Sequence, residues 1–251
     1  MPLGDEKLVE YLTREGYHPR SSKHGKQVCL LLLDDLVNTC PRFRDMAAAR
    51  EIVFAIDYTL AEGTTDAWTM DLVVGPPRGV SRKPRHQVAG IQEGTPGEIW
   101  MAVDAKSIMT EHGKARRNRF RDITALERRV HGMNASAVVG ACITVNMSQT
   151  FRSQLRNAND VTVHRNIEAL VRDTVELFEG VGFSRGLDDR SALDALGIVV
   201  VEHSNEVGIP TRLVTQPPAP QRGARTNYGT FLLDLCRCFT ERAPTSPRRA
   251  T

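Results

Sequence analysis

The stretch Glu98–Lys106, Glu-Ile-Trp-Met-Ala-Val-Asp-Ala-Lys, constrains the fold of this chain more than any other. The apolar residues Ile99 to Val103 read as a buried strand that runs directly into Asp104-Ala105-Lys106. In an extended chain, residues two apart share a face and lie about 6.6–6.8 Å from each other. Asp104 and Lys106 therefore stand side by side, with Ala105 on the opposite face. Taking a carboxylate and an ammonium out of water costs solvation that a lone ion pair does not fully return. A metal held by the carboxylate, with the lysine holding or polarising a water, gives the pair a chemical reason to be there. Such a metal needs a second carboxylate. Asp71 is the candidate, inside the strand-like run Ala67-Trp-Thr-Met-Asp-Leu-Val-Val74.

The triplet gains meaning from its context. Asp/Glu-x-Lys recurs at Asp5-Glu6-Lys7, in a polar segment with no strand character. Asp104-Ala105-Lys106 instead has an apolar strand before it, a basic helix after it and a carboxylate-bearing strand upstream. An Asp on one strand followed by Asp/Glu-x-Lys on the next resembles the signature of the PD-(D/E)XK nucleases, over roughly residues 44–146. Met70 stands where the family name has Pro, and the connection from Asp71 to Asp104 is long for the pattern.

The resemblance implies a restriction-endonuclease-like α/β core, with a central mixed β-sheet flanked by helices. It implies Mg²⁺ held by Asp71, Asp104 and the Ala105 carbonyl, with Asp71, Asp104 and Lys106 as the catalytic set. A helix ahead of the first catalytic strand sometimes adds an acid in this family, and Glu51 or Asp57 would fill that role. The implied activity is a type II restriction-like endonuclease acting on double-stranded DNA as a homodimer. A non-catalytic nucleic-acid-binding protein on the same fold is the alternative, with Asp104–Lys106 an ordinary ion pair.

Composition narrows the classes. The chain has 251 residues, 41% hydrophobic and 25% charged, which suits one large soluble domain. The expected organisation is a single domain over 1–243 with a disordered Pro-, Ser- and Arg-rich tail at 244–251. No apolar run approaches the roughly 18 residues of a membrane span. The N-terminus lacks the basic-then-apolar order of a secretory signal, so a cytoplasmic protein without membrane partners is expected. The five cysteines lie mostly in apolar runs and read as reduced core thiols. There is no dinucleotide-binding glycine fingerprint, phosphate-binding P-loop or zinc spacing.

The remaining pattern predicts helices over 5–17, 27–37, 43–62, about 110–131, 161–179 and 228–240. It predicts strands over 67–75, 88–91, 135–145, 196–202 and 212–215. Net charge is only +3, so the placement of charge matters more than its sum. Two basic segments flank the catalytic strands. Arg82, Lys83 and Arg85 lie in a Gly- and Pro-containing loop, and Lys114, Arg117 and Arg121 recur at helical spacing on one face. Both are candidates for phosphate contacts on DNA. His112 lies close enough to the strand end to assist a water, although a surface histidine is the simpler reading. Asn146 and the polar residues after it sit at a strand end, the usual place for ligand contacts in α/β sheets.

Overall fold

The computed structural model describes residues 3–60, 68–79, 87–154, 161–183 and 192–244. In chain order its elements are α1 (Gly4–Glu15), α2 (Lys23–Thr39), α3 (Pro41–Ala48), β1 (Val53–Leu60), β2 (Trp68–Gly75), β3 (Gln87–Val88), β4 (Ile91–Glu93), β5 (Met101–Ile108), α4 (His112–Met133), β6 (Val138–Asn146), β7 (Thr150–Arg152), β8 (Val161–Val163), α5 (Ile167–Glu179), β9 (Ala195–Glu202), β10 (Arg212–Leu213) and α6 (Tyr228–Arg242). Eight strands form one mixed sheet in the order β10-β9-β6-β5-β2-β1-β4-β3. β2 runs antiparallel to both of its neighbours, β1 and β5, whereas β5, β6 and β9 are mutually parallel and β1 is parallel to β4. The protein is thus a mixed α/β fold with helices on both faces of a central sheet.

Burial explains the two layers. Every residue of β6 is buried, as expected for a central strand covered on both sides. One face packs Val103, Val138 and Cys142 against Leu32, Leu33 and Leu36 of α2 and Phe231, Leu235 and Phe239 of α6. The other packs Ala102, Val139 and Ile143 against Ile123, Leu126 and Val130 of α4 and Val171 and Phe178 of α5. Gly197 in β9 lets α6 approach closely, because a Cβ there would stand 2.8 Å from the Phe231 ring.

The structure corrects several sequence expectations. The helix predicted over 43–62 is two elements. α3 ends at Ala48, Arg50 takes a left-handed φ of 59°, and the Glu51 N–H donates to the Met46 carbonyl to close a turn. The following Val-Phe-Ala-Ile-Asp-Tyr-Thr-Leu is β1. Its β-branched and aromatic residues favour a strand, and the helical spacing of Met46, Ala49, Val53, Ile56 and Leu60 is coincidental. Residues 87–93 form a β3–β4 hairpin at the sheet edge, joined through Ala89 and Gly90, both at positive φ. Helix α4 begins after Glu111, which is left-handed with φ 48°, and runs to Met133 where a helix over about 110–131 was expected. β7 and β8 pair antiparallel as a separate two-stranded sheet, and α5 starts only at Ile167. Cys40 and Cys236, 196 residues apart, are joined as a disulfide with Cα atoms 5.4 Å apart. The bond ties the α2–α3 junction to α6, whereas Cys29, Cys142 and Cys238 are buried free thiols.

Among the described residues, no helix is long and apolar enough to cross a membrane. The tail beyond residue 244 and the expected loop carrying Arg82, Lys83 and Arg85 lie outside the described residues.

Candidate active site

The candidate site forms where two central strands part. β2 and β5 are paired at Val74↔Met101, Val73↔Ala102 and Leu72↔Val103. The next positions are Asp71 and Asp104, and there the ladder stops. The Ala105 N–H donates to Asp71 Oδ2 at 2.8 Å instead of to a strand partner. β5 continues beside β6 up to Ile108↔Val145, so the opening lies only on the β2 side.

A shift in side-chain alternation accompanies this opening. Leu72 and Ile56 pack on the α2 face, but Met70 and Tyr58, each two residues along, pack on the α4 face. Regular strands do not change face at a two-residue step. The residues between them are Asp71 and, opposite on β1, Asp57. Asp57 has a left-handed φ of 51° and drops out of the β1–β2 register, which resumes at Tyr58↔Met70. Asp57 pairs with Lys26 of α2 at 2.8 Å.

Lys106 joins the two carboxylates. Its Nζ lies 2.6 Å from Asp104 Oδ1 and 3.2 Å from Asp71 Oδ2. Side-chain exposure grades the three: 3% for Asp104, 19% for Lys106 and 25% for Asp71. Asp104 Oδ2 is buried with no hydrogen-bond partner. Burial, and then the neighbouring Asp71 carboxylate, push Asp104 up to about 7. Burial also acts to raise Asp71. It is outweighed by the adjacent Asp104 carboxyl, the Lys106 charge and the Ala105 N–H, which hold Asp71 below the ordinary carboxylate value. Burial works against the Lys106 ammonium, but Asp104 and Asp71 together keep its pKa raised. One carboxyl that takes up a proton, a second that gives it up readily and a fixed ammonium are the result.

The other expected residues fall into three groups. Glu51 lies in the turn before β1, at the Val53 end of that strand, whereas Asp71 is level with Asp57. Six residues of extended chain, about 20 Å, separate Glu51 from that level. The expectation of Glu51 as an auxiliary acid is therefore corrected, because the helix that was to carry it does not exist. Lys114, Arg117 and Arg121 lie on one exposed face of α4, and no ion pair is recorded for them among the described residues. Their neighbours Arg116 and Arg119 are engaged by Asp173 and Asp122. His112 is buried rather than superficial. Its Nε2 meets the Asn146 carbonyl at 2.7 Å and its ring packs edge-on against His164.

The strand-end polar residues are structural. Asn146 Nδ2 donates to the carbonyls of Met109 and His203, and its Oδ1 accepts from the N–H groups of Ser148 and His203. His203 is held by Thr211 and Asn205. Sequence reasoning missed the Lys26–Asp57 pair. The strand character of residues 53–60 was the signal that would have put Asp57 opposite Asp71.

An all-oxygen donor set of Asp71, Asp104 and the Ala105 carbonyl suits a hard cation that keeps several waters. The unpartnered Oδ2 of Asp104 fits such a use. Among the described residues no group of three or more His, Cys, Asp or Glu side chains is placed to hold a metal ion, so the two carboxylates would need the backbone carbonyl and waters to complete a site.

No protein-family model matches the chain, and no curated protein matches it. Among solved structures, NucC of P. aeruginosa ATCC27853 in its cAAA-bound form is similar over 96% of this chain and 90% of that one, with 10% identity and a TM-score of 0.37. An overlap that loose leaves the reading of the site to its own residues.

Proposed function

We propose that the chain is a Mg²⁺-dependent endonuclease that hydrolyses phosphodiester bonds in double-stranded DNA at specific sequences, in the manner of type II restriction enzymes. The observation that carries this reading is Lys106 Nζ bridging Asp71 and Asp104 at the point where β2 and β5 separate. Asp71, Asp104 and the Ala105 carbonyl are the groups that would hold Mg²⁺. When bound, the ion supplies Lewis-acid charge to the phosphate and to a water.

The chain's own residues supply orientation. The Ala105 N–H fixes the Asp71 carboxylate. Lys106 is an ammonium with three N–H donors, two of which are directed at Asp71 and Asp104. The third is left for a water or a phosphate oxygen. Its raised pKa favours a donor that stabilises developing negative charge over a base that removes a proton. Lys114, Arg117 and Arg121 are proposed to contact backbone phosphates from the exposed side of α4, joined by Arg82, Lys83 and Arg85. A symmetric dimer acting on a palindromic site completes the restriction-type reading.

The test is digestion of a panel of plasmid and phage DNAs, modified and unmodified, with Mg²⁺ or with EDTA, by wild-type, Asp104→Ala and Lys106→Ala proteins. Discrete fragments that require Mg²⁺ and vanish in both variants are expected. Salt-sensitive DNA binding with no cleavage of any substrate would instead favour a non-catalytic nucleic-acid-binding protein.

A further inference from the structure

A second polar site lies on the α2 side of the sheet. A cavity of about 430 Å³ opens between the end of α1 and the start of α2, lined by Tyr11, Glu15, His18, Arg20, Lys23 and His24 among others. That volume falls within the range of small-ligand sites, roughly 300–1,000 Å³.

His24 singles this cavity out. It is 5% exposed. Its Nε2 is committed to Thr144 Oγ1 at 3.1 Å, on the central strand β6. The ring packs edge-on against Tyr17, whose hydroxyl is in turn 2.7 Å from Ser107 Oγ on β5. His24 lines the cavity, and its Nδ1 is buried and has no hydrogen-bond partner. An unpaired ring nitrogen in such a place costs about 1–3 kcal/mol, so the site is incomplete as it stands.

The surroundings specify the sign of the missing group. The first N–H groups of a helix have no acceptor within the helix and carry its positive end. At α2 the N-cap Ser22 supplies no side-chain acceptor, and only the Lys23 N–H is met locally, by Ser21 Oγ. Arg20 and Lys23 have no ion pair recorded among the described residues, whereas the one acid in the lining, Glu15, is engaged by Arg14 at 2.9 Å. Two free cations, an uncapped helix start and an orphaned imidazole nitrogen converge on one cavity.

We propose that this cavity is a phosphate-binding pocket, with the His24 ring, Arg20, Lys23 and the first turn of α2 as its donors. A phosphate oxygen on Nδ1 selects the tautomer with Nδ1–H donating and Nε2 accepting from the Thr144 hydroxyl. Burial, with a smaller effect of His203, holds the free ring neutral down to about 4, consistent with a donor that needs no charge of its own. The pocket is connected to the catalytic strands. One residue on, Gly25 lies against Ala105, whose carbonyl oxygen is 3.6 Å from where a Gly25 Cβ would stand, and Lys26 holds Asp57 opposite Asp71. The ligand class is the phosphate of a nucleotide, either at the end of a strand or as an internal diester.

The proposal stands apart from hydrolysis and is tested in EDTA, where no cleavage is expected. Imidazole ¹⁵N spectra of the whole protein, with the His24 signals assigned by comparison with His24→Gln, are recorded against inorganic phosphate. The same titration is run with a short oligonucleotide carrying either a 5′-phosphate or a 5′-hydroxyl. The expected result is a saturable shift of His24 Nδ1 to the donor form. In Arg20→Gln and Lys23→Gln the midpoint should rise by about tenfold or more for each cation removed. Both side chains are exposed, so these variants keep the fold. Stronger binding of the 5′-phosphorylated strand supports a strand end, and equal binding of the two supports an internal phosphate. A His24 signal that no phosphate compound moves, or a shift that is undiminished in the double variant, overturns the proposal. An inert catalytic centre would leave all of these readings unchanged.

Discussion

Lys106→Met isolates the electrostatics of the site. The substitution keeps the length of the side chain and removes the ammonium that bridges Asp104 and Asp71. Asp71 is a quarter exposed and can turn to water, but Asp104 is 3% exposed and cannot. Breaking a buried pair from one side typically costs about 3–5 kcal/mol. A ceiling applies, because the carboxylate can escape by taking a proton. That costs about 1.4 kcal/mol for each pH unit above the value at which the wild-type carboxyl already titrates, about 7. The ceiling on the further loss through Asp104 is therefore about 1.4 kcal/mol at pH 8 and close to zero at pH 5. The expected loss of stability through Asp104 is about 1 kcal/mol at pH 8 and close to zero at pH 5.

The sign follows from the direction of the shift. In the wild-type protein Asp104 titrates near 7, above its unfolded value. Its contribution is fully present below the unfolded value and is lost as pH rises through about 7. Without the ammonium the folded value rises further, so the loss continues to higher pH and the gap between the two proteins widens. Urea denaturation of both proteins at pH 5 and pH 8 in EDTA measures this directly. An equal loss at the two pH values would refute the reasoning, because it would mean that Asp104 is not the group left uncompensated.

Three further outcomes are expected. Mg²⁺ binding below pH 7 should displace a proton from Asp104, so that calorimetric heats at pH 6 depend on the ionisation enthalpy of the buffer, while at pH 8.5 they do not. Arg242→Met leaves Asp194 buried at 0% exposure without its 2.7 Å partner, and denaturation should show a loss of about 3–5 kcal/mol at neutral pH. Reducing the Cys40–Cys236 disulfide, which closes a separation of 196 residues, should cost up to about 5 kcal/mol by chain entropy. A denaturation midpoint unchanged by a phosphine reductant would contradict this.

The centre of the fold was legible because its signals are local. The apolar runs before Asp104 and around Asp71 could only be buried strands, and the all-buried pattern of β6 follows from Val138–Val145. That Asp104 and Lys106 share a face was legible from the alternation of an extended chain, and Asp71 was brought to them by the family resemblance; the sharing of Lys106 by both carboxylates was not expected. The failures arose where two periods fit the same residues. Ala-rich 46–50 extended a helical stripe into Val53–Leu60, and this placed Glu51 and Asp57 on a helix that is absent. Other features have no local signal at all. The left-handed turn at Asp57, the orphaned Nδ1 of His24 and the Cys40–Cys236 pair all depend on which segments the sheet brings together. His112 was misjudged because its partner is a carbonyl 34 residues away.

The central claim is that Asp71, Asp104 and Lys106 form a hydrolytic centre. Single-turnover cleavage of a supercoiled plasmid in Mg²⁺, beside DNA binding measured in EDTA, tests it most directly for wild-type and Lys106→Ala proteins. The account predicts Mg²⁺-dependent cutting by the wild type, loss of cutting by at least about a hundredfold in the variant, and binding that is retained in both. Cutting by Lys106→Ala at the wild-type rate would contradict it and place the chemistry elsewhere in the molecule.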